Sequence, residues 1–130
     1  MYQLTFETKG IKEAIRHLES YSQAALDEAL EQALDLGADF TYLVLIGNTP
    51  VDKGLLRKSE RVEKQKLIRR IGPDVNIAPY AVPVEYGHHT RSGSFVPGQF
   101  FVEKTALETA KPVANLMLNF IQSKIKANAK

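Results

Sequence analysis

The sequence predicts an α+β domain, a small antiparallel sheet with two long amphipathic helices packed on it. Three observations carry that expectation. Residues 2–7 alternate apolar and polar; apolar residues then recur at three- and four-residue steps up to residue 44 and again over 100–125; and two short charged runs between these stretches alternate once more.

Tyr2, Leu4 and Phe6 fall on one side of an extended chain and Gln3, Thr5 and Glu7 on the other, which reads as a half-buried strand ended by Thr8-Lys9-Gly10. A helical stripe follows, with Ile11, Ala14, Ile15 and Leu18, then Ala25, Leu26, Ala29, Leu30, Ala33, Leu34, Gly37, Phe40, Leu43 and Val44. Ser20 and Gln23 fit a capping box, so the helix is expected to break near Tyr21 and restart. It should stop at Gly47-Asn48, before Thr49-Pro50. Gly37 costs about 1 kcal/mol relative to Ala inside a helix, which a close helix crossing would explain.

Runs 55–63 and 65–71 read as a hairpin with a basic outer face, closed by a turn at Gly72-Pro73-Asp74. Pro79 and Pro83 exclude a long helix or a central strand over 77–87, leaving a single helical turn at 80–86. Residues 88–99, with Ser92-Gly93-Ser94 and Pro97-Gly98, read as a mobile loop. Val102, Ala106, Leu107, Ala110, Val113, Ala114, Met117, Leu118, Ile121 and Ile125 then form the stripe of a last helix, which Pro112 should kink or restart. No repeat or low-complexity tract interrupts the chain, so a single domain over 1–130 is expected.

At 130 residues, 44% of them hydrophobic and 25% charged, the composition is that of an ordinary globular domain. A chain of this length buries roughly two-thirds of its surface on folding. The absence of cysteine excludes disulfides, thiolate metal sites and cysteine nucleophiles. The first ten residues lack a signal-peptide pattern, and the apolar run 40–46 is far short of the ~20 residues a bilayer span needs. The expectation is a cytosolic-type domain or a subunit of something larger.

Net charge is only +2, but it is unevenly spread. Residues 1–52 hold nine acids and three bases; residues 53–130 hold fourteen bases and six acids. Such a split either closes internally or presents opposite charges to neighbouring copies. Eight of the bases (Lys53, Arg57, Lys58, Arg61, Lys64, Lys66, Arg69, Arg70) lie within 18 positions. They could meet a phosphate backbone, although Glu60 and Glu63 interrupt them and no aromatic residue is present there for stacking on bases.

Other chemistry is thinly represented. His88-His89 is the only histidine cluster and has only Glu85 near it in sequence, while His17 borders the first helical stripe. Asp52 lies in a Pro-Val-Asp-Lys-Gly turn, where an aspartate caps more often than it catalyses. The serines around Gly93 make no nucleophile elbow, and residues 47–54 do not match a P-loop. A small hydrolase would rest on scattered acids and histidines alone.

Three ordered blocks do form a pattern. Thr49-Pro50-Val51-Asp52-Lys53-Gly54-Leu55-Leu56-Arg57-Lys58-Ser59 resembles the "PVDTG-x-LR-x-S" signature of tailed-phage neck, or head–tail joining, proteins, a family that also takes in minor tail components and tail-completion proteins. Tyr80-Ala81 with Val84-Glu85-Tyr86-Gly87 is similar to that family's "YA-x-x-VE-[FY]-G", and Pro97-Gly98-Gln99-Phe100-Phe101 to its "P-x-PFL" entry into a closing helix. Lys53 stands where the family has Thr, Pro83 is inserted in the second block, and Val102-Glu103-Lys104 replaces an arginine-proline continuation.

The resemblance implies a virion protein without catalysis, cofactor or metal. It implies a ring of identical subunits, commonly six, between the head-closure or connector proteins and the tail-tube or tail-terminator proteins. DNA would pass through the channel without sequence-specific contact, no membrane would be involved, and the protein would reside in the virion after assembly in the host cytoplasm. Pro50 and Gly54 would set the turn from helix to sheet, Asp52 would cap it and Leu56 would enter the core. Arg57 and Glu85 would form an ion pair, and Tyr80, Tyr86, Phe100 and Phe101 would pack between the Pro-rich segment and the last helix, with Gly87 and Pro97 completing the motif. His88, His89, Arg91 and Phe95 would belong to an assembly loop. The alternative is a small non-specific nucleic-acid-binding protein using the basic stretch 53–70.

Overall fold

The computed structural model describes residues 3–7, 23–51 and 54–128. The architecture is α+β, with two long helices and a three-stranded antiparallel sheet. Its elements are β1 (Leu4–Glu7), α1 (Gln23–Asn48), α2 (Leu55–Ser59), β2 (Glu60–Gln65), β3 (Ile68–Pro73), α3 (Ala81–Tyr86), β4 (Gly87–His89), β5 (Phe95–Pro97) and α4 (Phe101–Asn128). The stripe at Ile11–Leu18, His17, the Ser20 cap, Tyr2, Asp52 and Lys53 lie outside the described residues.

Strand β3 is central, with Leu4 and Val62 both opposite Ile71, and Thr5 and Glu63 both opposite Arg70. Alternation turns Ile71 and Arg69 toward α1 and leaves Arg61, Glu63 and Arg70 on the outer face. That face is therefore of mixed sign, not the basic surface the sequence suggested.

The hairpin also differs in register. Residues 55–59 form a helical turn, because burying Leu56 and Ser59 together needs a spacing of three on one face. The hairpin turn falls at Lys66-Leu67, and Gly72 and Pro73 pair with Arg61 and Glu60 instead of closing it. Among the described residues β1 pairs with β3 as far as Ile71, and Pro73 lies at the end of its strand, where a missing amide is tolerated. Leu67 holds φ +61°, a conformation costing an L-residue roughly 1 kcal/mol or more. Its amide donates to Glu31 Oε1, and its side chain packs into the core between the long helices.

That core joins Leu30, Ala33 and Leu34 of α1 to Val113, Met117 and Ile121 of α4. A Cβ on Gly37 would lie 2.9 Å from Val113 Cγ1 and 3.0 Å from Met117 Sδ, so the helices approach over a missing side chain. A second core gathers Ala38, Leu45, Leu56, Ile71, Ala81, Phe101 and Val102. Helix α4 runs unbroken through Pro112, which sits on its exposed side, so the expected restart does not occur. Residues 88–99 are not a loop throughout: β4 and β5 pair as a second hairpin, with His88 opposite Val96 and His89 opposite Phe95.

Candidate functional site

The three motif blocks meet where α3 delivers the chain to α4. Residues 99–101 offer no Ser, Thr, Asp or Asn to cap the last helix, so its first amide groups need an acceptor from elsewhere. Glu85 supplies it. Its side chain is 1% exposed; Oε1 accepts the Val102 amide at 2.9 Å and Oε2 the Glu103 amide at 3.0 Å. The main chain reinforces this, the Phe100 amide donating to the Glu85 carbonyl (3.1 Å) and the Gln99 amide to that of Val84 (2.9 Å). A carboxylate at a helix N-terminus is further favoured by the helix dipole.

The expected Arg57–Glu85 ion pair is therefore absent. Arg57 Nε donates to the Thr49 carbonyl at 3.2 Å, tying α2 to the end of α1. A buried carboxylate facing two orphan amides is already satisfied and has no use for a distant guanidinium. The sequence signal that could have found this role is an uncapped helix start downstream of a glutamate set among apolar residues.

Two glycines hold the junction tight. A Cβ on Gly98 would fall 2.3 Å from the Glu85 carbonyl oxygen, and Gly87, at φ +94°, leaves no room beside the Val96 carbonyl. Gly54, at φ +76°, makes the sharp entry into α2. Of the aromatic residues expected to pack here, Phe101 is buried. Tyr80, Tyr86 and Phe100 are exposed, Tyr86 and Phe100 meeting edge to face with ring centres 6.3 Å apart.

Next to this cap lies a second buried carboxyl. Glu60 is 1% exposed, with Oε1 2.9 Å from Thr49 Oγ1 and no partner for Oε2. The Thr49 hydroxyl also lies 2.6 Å from the Leu45 carbonyl and has one proton to give. That one proton cannot serve the Leu45 carbonyl and Glu60 Oε1 fully at once, and Oε2 stays unpaired, so the pocket favours the neutral carboxyl. Burial above all, and the charge of Glu85, push the Glu60 carboxyl up to about 7, against the pull of the Thr49 hydrogen bond.

Arg69, its side chain 3% exposed, links the sheet to α1. It pairs with Glu31 (2.5 Å) and Asp35 (2.9 Å) and donates to the carbonyls of Gln65 and Ile68; Lys64 joins Asp35 at 3.2 Å. The Arg69 hydrogen bond holds the Glu31 carboxyl below its usual value. Burial pushes Asp35 up, but hydrogen bonds from Arg69 and Lys64 outweigh it and leave it lowered. Part of the charge split thus closes within the chain.

The crevice beside Glu85, lined by Pro73, Val82 and Phe101, has no room for a water molecule. Among the described residues, no three histidine or carboxylate side chains converge in a way that could hold a metal, and no helix is long and apolar enough to cross a membrane. His88, His89, Arg91 and Phe95 are all exposed on the second hairpin, where the His89 and Phe95 rings pack at 5.2 Å. Phe40 and Leu43, expected in the core stripe, are instead exposed on α1 beside Leu36. Compared with known proteins, the chain matches no family model, no curated protein and no solved structure.

Proposed function

We propose that the protein is a structural subunit of a tailed-phage or prophage neck. It forms a ring, with six subunits the expected number, that completes or attaches the tail at the head–tail junction. Its partners are copies of itself, head-closure or connector proteins on one side and tail-tube or tail-terminator proteins on the other. It acts in the virion after assembly in the host cytoplasm, without catalysis.

The observation that carries this reading is the convergence of the three neck-like sequence blocks on one junction. Leu56 from the first, Ala81 from the second and Phe101 from the third share a core, and Glu85 of the second caps the helix that the third begins. Exposed apolar side chains on α1 and on the second hairpin support it too, since they suit contact with other subunits. The nucleic-acid alternative draws less support. Arg69 and Lys64 are engaged with α1, and Glu63 lies opposite Arg70 on the outer face of the sheet.

The test is a particle lacking this protein. Filled heads and tails that accumulate unjoined, and that join when the purified protein is added, are the expected outcome. Normal joining without it overturns the reading. Salt-sensitive submicromolar binding to random duplex DNA by a chain that never self-associates would favour the nucleic-acid alternative.

A further inference from the structure

We propose that the β4–β5 hairpin of one copy docks on the exposed face of α1 in the next copy. This rests on the ring reading above and names the two surfaces that would build the ring. Both surfaces are apolar, and no described residue covers them. Phe95 is 57% exposed beside Val96 on the hairpin; Leu43 is 70% exposed on α1, with Leu36 and Phe40 completing one helical face at i, i+4 and i+7.

Their charges are complementary. Residues 87–98 contain Arg91, His88 and His89 and no acid, whereas 23–48 contain no Lys or Arg and five acids, of which Glu31 and Asp35 are already paired with Arg69 and Lys64. Asp39 borders the α1 stripe, three residues after Leu36 and four before Leu43, and is exposed. Neither Asp39 nor Arg91 makes an ion pair among the described residues. Like surfaces would oppose like charges, so α1 against α1 and hairpin against hairpin are disfavoured. The unlike pairing is a head-to-tail contact, the kind that closes into a ring when its rotation divides the circle.

The hairpin is also preorganised. The Thr90 amide donates to the Ser94 carbonyl at 2.7 Å, the Gly93 amide to the Thr90 carbonyl at 3.0 Å, and the base is wedged by Gly87 and Gly98. A segment already held in shape loses little freedom on docking.

The chain has no native cysteine, so paired substitutions report contacts cleanly. Asp39→Cys and Ser92→Cys on separate full-length copies should form a mixed disulfide under oxidation, both in purified protein and in assembled particles. Glu108→Cys, on α4, should not cross-link to Ser92→Cys. Arg91→Glu and Asp39→Lys should each weaken self-association by about tenfold or more, and combining both in one chain should restore it. Wild-type rings with no 39–92 cross-link and no effect of either charge reversal would overturn the docking surfaces and leave the ring reading standing. An α1 face covered by residues 8–22 of the same chain, or by a different protein, gives that same result. A wild-type chain that never self-associates, in solution or on particles, sinks both.

Discussion

Glu85 Oε1 accepts the main-chain amide of Val102 at 2.9 Å, so the last helix is capped by a side chain 17 positions upstream, across the whole second hairpin. Glu85→Ala leaves the buried Val102 amide and the part-buried Glu103 amide without an acceptor and should cost about 2–4 kcal/mol in urea unfolding. Glu85→Gln, which keeps one acceptor, should cost less. Because Arg57 does not pair with Glu85, losses from Arg57→Ala and Glu85→Ala should add to within about 0.5 kcal/mol. A larger coupling would contradict the separation of the two side chains.

Glu60 makes stability fall on the alkaline side. Its folded value, about 7, lies above the ordinary 4.5, so its contribution is intact below pH 4.5 and is lost as pH rises through about 7. The full loss is about 3 kcal/mol. Glu60→Gln imitates the neutral acid toward Thr49, and should raise stability at pH 8.5 while changing it little at pH 5. Equal effects at both values would rule out a titrating Glu60.

On the acid side the sign reverses. Glu31 and Asp35 are held below their usual values, so the stability they provide is present at neutral pH and is lost as pH falls through their lowered folded values. Arg69→Met should leave those carboxylates without their buried partner and cost about 3 kcal/mol. It should also flatten the acid limb of the profile. Arg69→Lys should not restore the loss, because one ammonium cannot reach Glu31, Asp35 and two carbonyls together.

Gly37→Ala sets a gain in helix propensity of about 1 kcal/mol against a Cβ placed 2.9 Å from Val113 Cγ1. A valine branch fixed on a buried helix face has little room to retreat, so the net change should be destabilising by thermal melting. Adding Val113→Ala should make the Gly37→Ala step less costly than it is in the wild-type background.

Periodicity in the sequence was enough to place α1, α4 and the strand β1, since each depends on neighbours three, four or two residues away, and Pro79 and Pro83 limited the segment around α3 to a single helical turn. The close helix crossing at Gly37 was legible for the same reason, as a residue out of keeping with its helix. What escaped is non-local. The turn at Leu67 depends on Glu31, some 36 positions earlier, and on a core pocket between two helices. The role of Glu85 depends on a helix start that brings no cap of its own. Phe40 and Leu43 share spacing with the buried stripe, and only the direction from which α4 approaches leaves them outside. Residues 88–99 hold turn-formers throughout, which hid two three-residue strands whose pairing is fixed by the glycines at their base.

Gly98 lies so close to the Glu85 carbonyl that hairpin and last helix share one root with no slack between them. A load applied at Arg91 would pass through that root into both α3, which runs directly into β4, and the first turn of α4. The domain therefore has a handle and a shaft, and a pull on the one would be felt at the other as through a stiff lever.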